Sequence, residues 1–260
     1  MGKEPPPDTI ELDGAPLFLR RVFKNDFFAV TAVYADERRK VVLKVHRRAA
    51  FYFVPLRWLG RLSAARECAA LSHAHGIVGV PCLIGRWQDT GLIREFVDGH
   101  PLGKGEHVPD DFHTRLRDIV EQIHRRNMAY VDLEKCENVI VGDDGRPYLI
   151  DFQIAWHWPA RWGGNLWPMR RLRQWFQSGD RYHLLKLQRR TRPDQLTQDQ
   201  WSASYRRPWY VRVHRVLSYP FLWVRRRVLR RVDPWHRCGE RGRIAGGMPE
   251  ENRDSRFRVS

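Results

Sequence analysis

The stretch Tyr130-Val131-Asp132-Leu133-Glu134-Lys135-Cys136-Glu137-Asn138-Val139-Ile140-Val141-Gly142-Asp143-Asp144-Gly145-Arg146-Pro147-Tyr148-Leu149-Ile150-Asp151-Phe152-Gln153 decides the reading of this chain. Val139, Ile140 and Val141 form a short apolar run, Gly142 to Gly145 is a turn signal, and Tyr148, Leu149 and Ile150 form a second apolar run. Two such runs joined by a tight, Gly-containing turn predict a β-hairpin. Its strands run antiparallel, so its open ends lie side by side. Asn138 enters the first strand and Asp151 leaves the second, so the hairpin brings them close, with Asp132 a short loop away.

These ends suit a specific chemistry. Asn and Asp oxygens are hard ligands for Mg2+, which binds one or two carboxylates together with substrate phosphates. A further carboxylate, Asp132, can take a proton from an attacking hydroxyl. Surface acids on a polar hairpin would account for any one of these residues. The order Asp132, Asn138, Asp151 around one hairpin is the order of the protein-kinase signature set.

Tyr130-Val131-Asp132-Leu133 resembles the catalytic loop of the protein-kinase-like fold. Ile150-Asp151-Phe152-Gln153 resembles its metal-binding Asp-Phe-Gly, with Gln153 in place of glycine. Ile123-His124 resembles the Leu-His that ends the preceding helix in many small-molecule kinases. Over roughly residues 15–155 the chain resembles the bacterial lipopolysaccharide core (Kdo/heptose) kinase family. It departs from that pattern in the catalytic loop, where five residues, Leu133 to Glu137, stand in place of the usual four. Either Asn138 or Glu137 then takes the metal-ligand slot. Asn138 is preferred because it directly precedes the Val139–Val141 strand.

The resemblance implies an α+β, protein-kinase-like two-lobed fold, with a five-stranded antiparallel N-lobe sheet, one helix and a reduced, mainly helical C-lobe. Residues 1–14 read as a polar, Pro-rich loose tail, 15–98 as the N-lobe, 99–237 as the C-lobe and 238–260 as a polar disordered tail. Leu17–Leu19, Phe27–Tyr34 and Lys40–Val45 read as successive strands, rich in β-branched and aromatic residues. Gly79–Ile84 and Gly91–Val97 read as two more, and Asp98–Leu102 as a turn and loop.

Pro55–His75 reads as a helix with Trp58, Leu59, Leu62, Ala65, Ala69 and Leu71 as its apolar stripe and Gly76 as its C-cap. Pro109–Asn127 reads as a second, with Phe112, Leu116, Ile119, Val120 and Ile123 on one face. Pro168–Gln177 and Asp180–Arg192 look helical, while Ala155–Pro159 and Trp162–Trp167 read as irregular and aromatic.

On the same resemblance, Lys44 of the third strand would hold the α- and β-phosphates of ATP, and Glu67 would hold Lys44. Glu95 and Val97 would lie in the hinge that binds adenine through its backbone. No glycine-rich loop joins the first two strands. The expected turn is Phe23–Phe27, where Lys24 or Asn25 would supply side-chain donors in place of close backbone amides.

Composition narrows the setting. Cys68, Cys82, Cys136 and Cys238 show neither CxxC pairing nor metal-ligand spacing, so a reduced, cytoplasmic chain is expected. The N-terminus lacks the apolar core of a signal peptide, and no apolar run approaches the ~20 residues that span a bilayer. Residues 1–155 balance 22 Lys and Arg against 22 Asp and Glu, whereas residues 156–260 carry 24 against 8. The whole excess of +16 therefore falls in the last part of the chain, with nine of the eleven tryptophans.

Such asymmetry points to an anionic partner. Trp209–Val232 alternates arginines with apolar residues, which suits an interfacial segment on anionic lipid at the inner membrane, or a basic helix packed on a core. No recognised nucleic-acid motif accompanies it. The expected activity is transfer of the ATP γ-phosphate, with Mg2+, to a hydroxyl of an envelope glycolipid sugar. A Ser/Thr protein kinase and a membrane-associated pseudokinase are the alternatives.

Overall fold

Strand-forming residues dominate the start of the chain. The structure, a computed structural model that describes residues 5–25, 29–46, 57–158 and 166–205, builds six strands from this part. They are β1 (Thr9–Leu12), β2 (Ala15–Asn25), β3 (Ala29–Ala35), β4 (Lys40–His46), β5 (Leu83–Trp87) and β6 (Gly91–Glu95), in the order β1-β2-β3-β4-β6-β5. The expected sheet had five. The sixth is β1, which replaces the second half of the expected loose tail. Ile10 alternates inward and is buried opposite Leu17, and that burial holds the edge strand. The strand expected over Gly79–Ile84 starts later, at Leu83. Gly79 has φ +93° and Pro81 follows it, so the chain turns there instead of extending.

The chain divides into two compact units, and the division falls inside helix α1 (Arg57–His73). Among described residues the first unit holds 5–65 and 84–96, the second 66–83 and 97–205. The core of the first unit is one face of the sheet: Ile10, Leu17, Ala32, Tyr34, Val41, Leu43 and Ile93. Odd-numbered β4 residues therefore face this cluster, and Val42 and Lys44 take the other face, as strand alternation requires.

Helix α1 buries a stripe that shares only Leu71 with the one expected. Trp58, Leu59 and Leu62 are exposed, while Ala64, Glu67, Cys68 and Leu71 are buried. Small residues and one carboxylate line its inner face, so a hydrophobicity pattern mistakes the outside for the inside. Gly76, with φ +78°, sits in the turn that follows.

The second unit contains β7 (Gly99–Pro101), α2 (Phe112–Arg125), β8 (Met128–Ala129), β9 (Val139–Gly142), β10 (Pro147–Leu149), β11 (Trp156–His157), α3 (Trp167–Thr191) and α4 (Gln198–Tyr205). The predicted stripe of α2 is the observed one: Phe112, Leu116, Ile119, Val120 and Ile123 are all buried. β10, β9 and β7 form one small sheet, and β11 pairs with β8. β7 lies where a loop was expected. Gly99 permits it: φ is +147° and a Cβ there would lie 2.2 Å from the Val141 carbonyl oxygen, so only glycine lets the two backbones pair.

Trp156–His157, expected to be irregular, extends to pair with Ala129 and Met128. The two helices expected over 168–192 are one helix of 25 residues. Glycine costs a helix about 1 kcal/mol, and Gly179 is carried because Gln177, Asp180, Tyr182, Leu184 and Leu187 are buried around it. The expected segment Trp209–Val232 and the tail from Cys238 lie outside the described residues, as do 159–165. Among the described residues no helix is long and apolar enough to cross a membrane.

Candidate active site

The hairpin forms as the sequence predicts. Pro147, Tyr148 and Leu149 pair with Val141, Ile140 and Val139, and the turn closes through Gly145, at φ +74°, whose N–H donates to the Gly142 carbonyl at 2.8 Å. At the open end the Ile150 N–H donates to the Asn138 carbonyl at 3.0 Å, so Asp151 leaves the strand beside Asn138. A single 3-10 turn, Cys136–Asn138, delivers Asn138 into β9. Its Nδ2 donates to the carbonyl of Asp132 at 3.2 Å. Asp132 and Asn138 are buried and Glu137 is exposed.

Tyr130 ties this loop to the hairpin. Its hydroxyl donates to the Ile150 carbonyl, next to Asp151, and its ring meets that of Phe152 edge to face at 5.1 Å. Burial pushes its phenol well above the ordinary range, and the carboxylates of Asp151, Asp132, Asp180 and Glu67 push it further. Three predicted site residues of the second unit, Asp132, Asp151 and Glu67, are thus near enough for their charge to be felt by this buried phenol.

Two residues of this site escaped the sequence reading. Asp180, 1 % exposed, reaches in from α3. Its Oδ1 accepts the N–H of Val131 at 2.8 Å, and its Oδ2 accepts the N–H of Tyr130 and Nε2 of His124, each at 2.9 Å. His124 is thereby buried and hydrogen-bonded at the end of α2. Val131 has φ +73°, a costly conformation for a β-branched residue, and it is held there one residue before Asp132. A signal existed in the sequence: Asp180 is the only carboxylate between Asp151 and Asp194. The second missed residue is Lys135, whose Nζ lies 2.6 Å from Oδ2 of Asp132 and whose side chain is largely in solvent.

The donor set fits Mg2+. With Nδ2 committed to Asp132, Asn138 presents its amide oxygen, and Asp151, at φ +65°, presents a carboxylate. Among the described residues no group of three or more His, Cys, Asp or Glu could hold a metal ion. Two hard oxygens completed by water and nucleotide phosphates suit Mg2+ in particular.

The remaining predicted residues are placed as follows. Lys44 is buried on β4, between Thr31 and Leu92 on the flanking strands. Glu67 is buried on α1. Glu95 ends β6 opposite Val41. Phe96, which follows it, stacks on Phe23 with centroids 6.2 Å apart and has the Lys40 ammonium 5.6 Å from its centroid. Val97 opens the second segment of the second unit and is half-buried. The expected turn over Phe23–Phe27 is strand as far as Asn25, and residues 26–28 lie outside the described ones.

Among solved structures the chain is similar to Rio2 kinase from Chaetomium thermophilum. Its ADP/Mg2+-phosphoaspartate complex superposes with a TM-score of 0.51 at 18 % identity, covering 72 % of this chain and 60 % of that one. A second structure of the same kinase gives 0.51 at 17 % identity, covering 72 % and 62 %. No protein-family model and no curated protein matches the chain. The likeness establishes a protein-kinase-like fold, and the chain spans about three-fifths of the length of the kinase it resembles.

Proposed function

We propose that this protein transfers the γ-phosphate of ATP to a hydroxyl, with Asp132 as the residue that orients and deprotonates the acceptor. The observation that carries this reading is the Asp132–Asn138 hydrogen bond at the open end of a hairpin that also delivers Asp151. It joins a base to two hard metal ligands on one rigid frame. Lys44 would orient the α- and β-phosphates, Glu67 would hold Lys44, and the backbone at Glu95 and Val97 would bind adenine. Asn138 and Asp151 would hold Mg2+, which when bound neutralises phosphate charge. Lys135, beside Asp132, puts a cation where the transferred phosphoryl group would sit. Most of the rate enhancement would come from positioning and charge neutralisation. The Mg2+ and ADP of the similar Rio2 kinase complex support this nucleotide and metal.

The proposed acceptor is a sugar hydroxyl of an envelope glycolipid, reached from the cytoplasmic face of the inner membrane. The resemblance of the Tyr130–Leu133 and Ile150–Gln153 motifs to lipopolysaccharide core kinases supports it, as does a C-terminal part with a net charge of +16. The N-lobe would comprise residues 15–98 and the C-lobe 99–237. Incubating the protein with γ-labelled ATP, Mg2+ and separate total-lipid and total-protein extracts tests the reading. Label in the lipid fraction is expected. Label in protein would make the chain a Ser/Thr protein kinase, and binding of ATP with no transfer would make it a pseudokinase.

A further inference from the structure

The helix that holds the catalytic loop carries, at its other end, an exposed apolar and basic surface that the phosphotransfer chemistry does not use. Residues 166–171, which open α3, are exposed without exception. Leu166 is 64 % and Trp167 72 % exposed, and Met169 and Trp175 are also open to solvent. At a spacing of four residues Trp167, Arg171 and Trp175 lie along one line of the helix, with Arg170 beside them. Met169 lies about 200° round the helix from Trp167, so large apolar side chains surround the first turn, and their exposure marks an interaction site.

Charge selects the partner. Between Asp151 and Asp180 the chain carries four arginines, five tryptophans and no carboxylate. This stretch of the chain is therefore positive, with Arg170 and Arg171 exposed, and its large apolar side chains are ones favoured at a water–lipid boundary. Tryptophan settles at headgroup depth, Leu and Met reach the acyl chains, and arginine meets lipid phosphate. A protein partner of matching shape would be expected to meet mixed charges here. Further along α3 Phe176 is stacked on Trp156, with centroids 6.2 Å apart and planes 9° from parallel, and Arg66 lies over the same indole at 4.8 Å.

We infer that the first turns of α3, centred on Leu166, Trp167, Met169, Arg170 and Arg171, dock the protein onto an anionic lipid surface. The inference rests on the reading of this chain as a kinase working at a membrane, and it names the surface that does the docking. At a rise of 1.5 Å per residue, Trp167 stands about 20 Å along the helix from Asp180. Docking there would hold the loop of Asp132 at a fixed distance from the headgroups.

The test is sedimentation of the full chain with phosphatidylcholine vesicles, with and without phosphatidylglycerol. Wild type should pellet only with the anionic vesicles, and less as salt rises. A Trp167→Ser, Arg170→Gln, Arg171→Gln variant should bind at least about tenfold more weakly, from the arginine contribution alone. Arg115→Gln with Arg125→Gln, on exposed positions of α2, removes the same charge and should bind as wild type. Trp167→Ser alone, an exposed first-turn change, should weaken binding even if the triple variant folds poorly. Equal binding by the α3 variants overturns the inference and leaves the membrane reading standing. Equal loss in the α2 control also overturns it, because net charge alone would then explain the attraction. A wild type that ignores anionic vesicles removes both inference and membrane role, whereas competition by polyuridylic acid that depends on the same residues reassigns the patch to nucleic acid. Mg·ATP binding measured on each variant separates these outcomes from a failure of the phosphotransfer reading.

Discussion

Asp180 Oδ1 accepts the backbone N–H of Val131 at 2.8 Å, and so a buried carboxylate on α3 fixes the peptide that joins Tyr130 to Val131, the residue before Asp132. Its other oxygen takes the N–H of Tyr130. Asparagine at this position would accept one of these hydrogen bonds and present an N–H to the other donor. We expect Asp180→Asn to destabilise the fold by about 1–3 kcal/mol for each amide left without its acceptor. Turnover should fall much more than ATP affinity, because the Asp132 loop loses its anchor. Thermal unfolding and steady-state kinetics check this, and a variant with wild-type turnover would separate Asp180 from the site.

Asp132→Ala should abolish phosphoryl transfer and leave Mg·ATP affinity nearly intact, since a base acts on the acceptor. Lys135 approaches the same carboxylate at 2.6 Å from solvent. Its replacement by alanine should reduce kcat by at least about tenfold with little loss of stability, as the ammonium lies largely in solvent and such a pair is worth little to the fold. Near-wild-type turnover in Asp132→Ala would place the base elsewhere.

The two registers of the catalytic loop make opposite predictions. Asn138 is buried and bonded to the Asp132 carbonyl, whereas Glu137 is exposed. Asn138→Ala should therefore cost far more activity than Glu137→Ala, and it should raise the Mg2+ concentration needed for half-maximal rate. The reverse ranking would move the ligand to Glu137.

What could be read in advance was whatever local patterning determines. The β9–β10 hairpin follows from two apolar runs about a glycine turn, and the stripe of α2 follows from five residues at helical spacing. Reading failed where a distant contact overrides local preference. α1 turns Ala64, Glu67 and Cys68 inward and leaves Trp58 and Leu62 in solvent, so its hydrophobicity points the wrong way. Gly179 would ordinarily end a helix, but α3 continues because Asp180 and Gln177 are tied to residues some fifty positions earlier. Lys135 was close in sequence, but only the turn of the loop after Asp132 brings its ammonium onto that carboxylate.

The final prediction concerns pH and stability. His113 is 3 % exposed on α2, and its Nε2 lies 2.7 Å from the hydroxyl of Thr191. That hydroxyl donates to the Leu187 carbonyl at 3.1 Å, so it accepts from the imidazole, which is held neutral with its proton on Nε2. Burial first, and the guanidinium groups of Arg117 and Arg192 after it, together lower the imidazole from 6.5 to about 4. Above pH 6.5 the folded and unfolded chains both hold it neutral, and it contributes no pH dependence. Between about 6.5 and 4 the unfolded chain takes up a proton that the folded chain refuses, so stability falls as pH falls. Below about 4 the loss levels off, having reached up to about 3 kcal/mol. His157 and His183 are lowered by burial as well and add to the slope in the same sense. Denaturant unfolding of wild type and His113→Gln, measured from pH 7 downward, checks this. The variant should start less stable and lose less on acidification, so that the two curves approach each other as the pH drops. Parallel curves would show that His113 is protonated in the folded protein and that its burial does not govern the response.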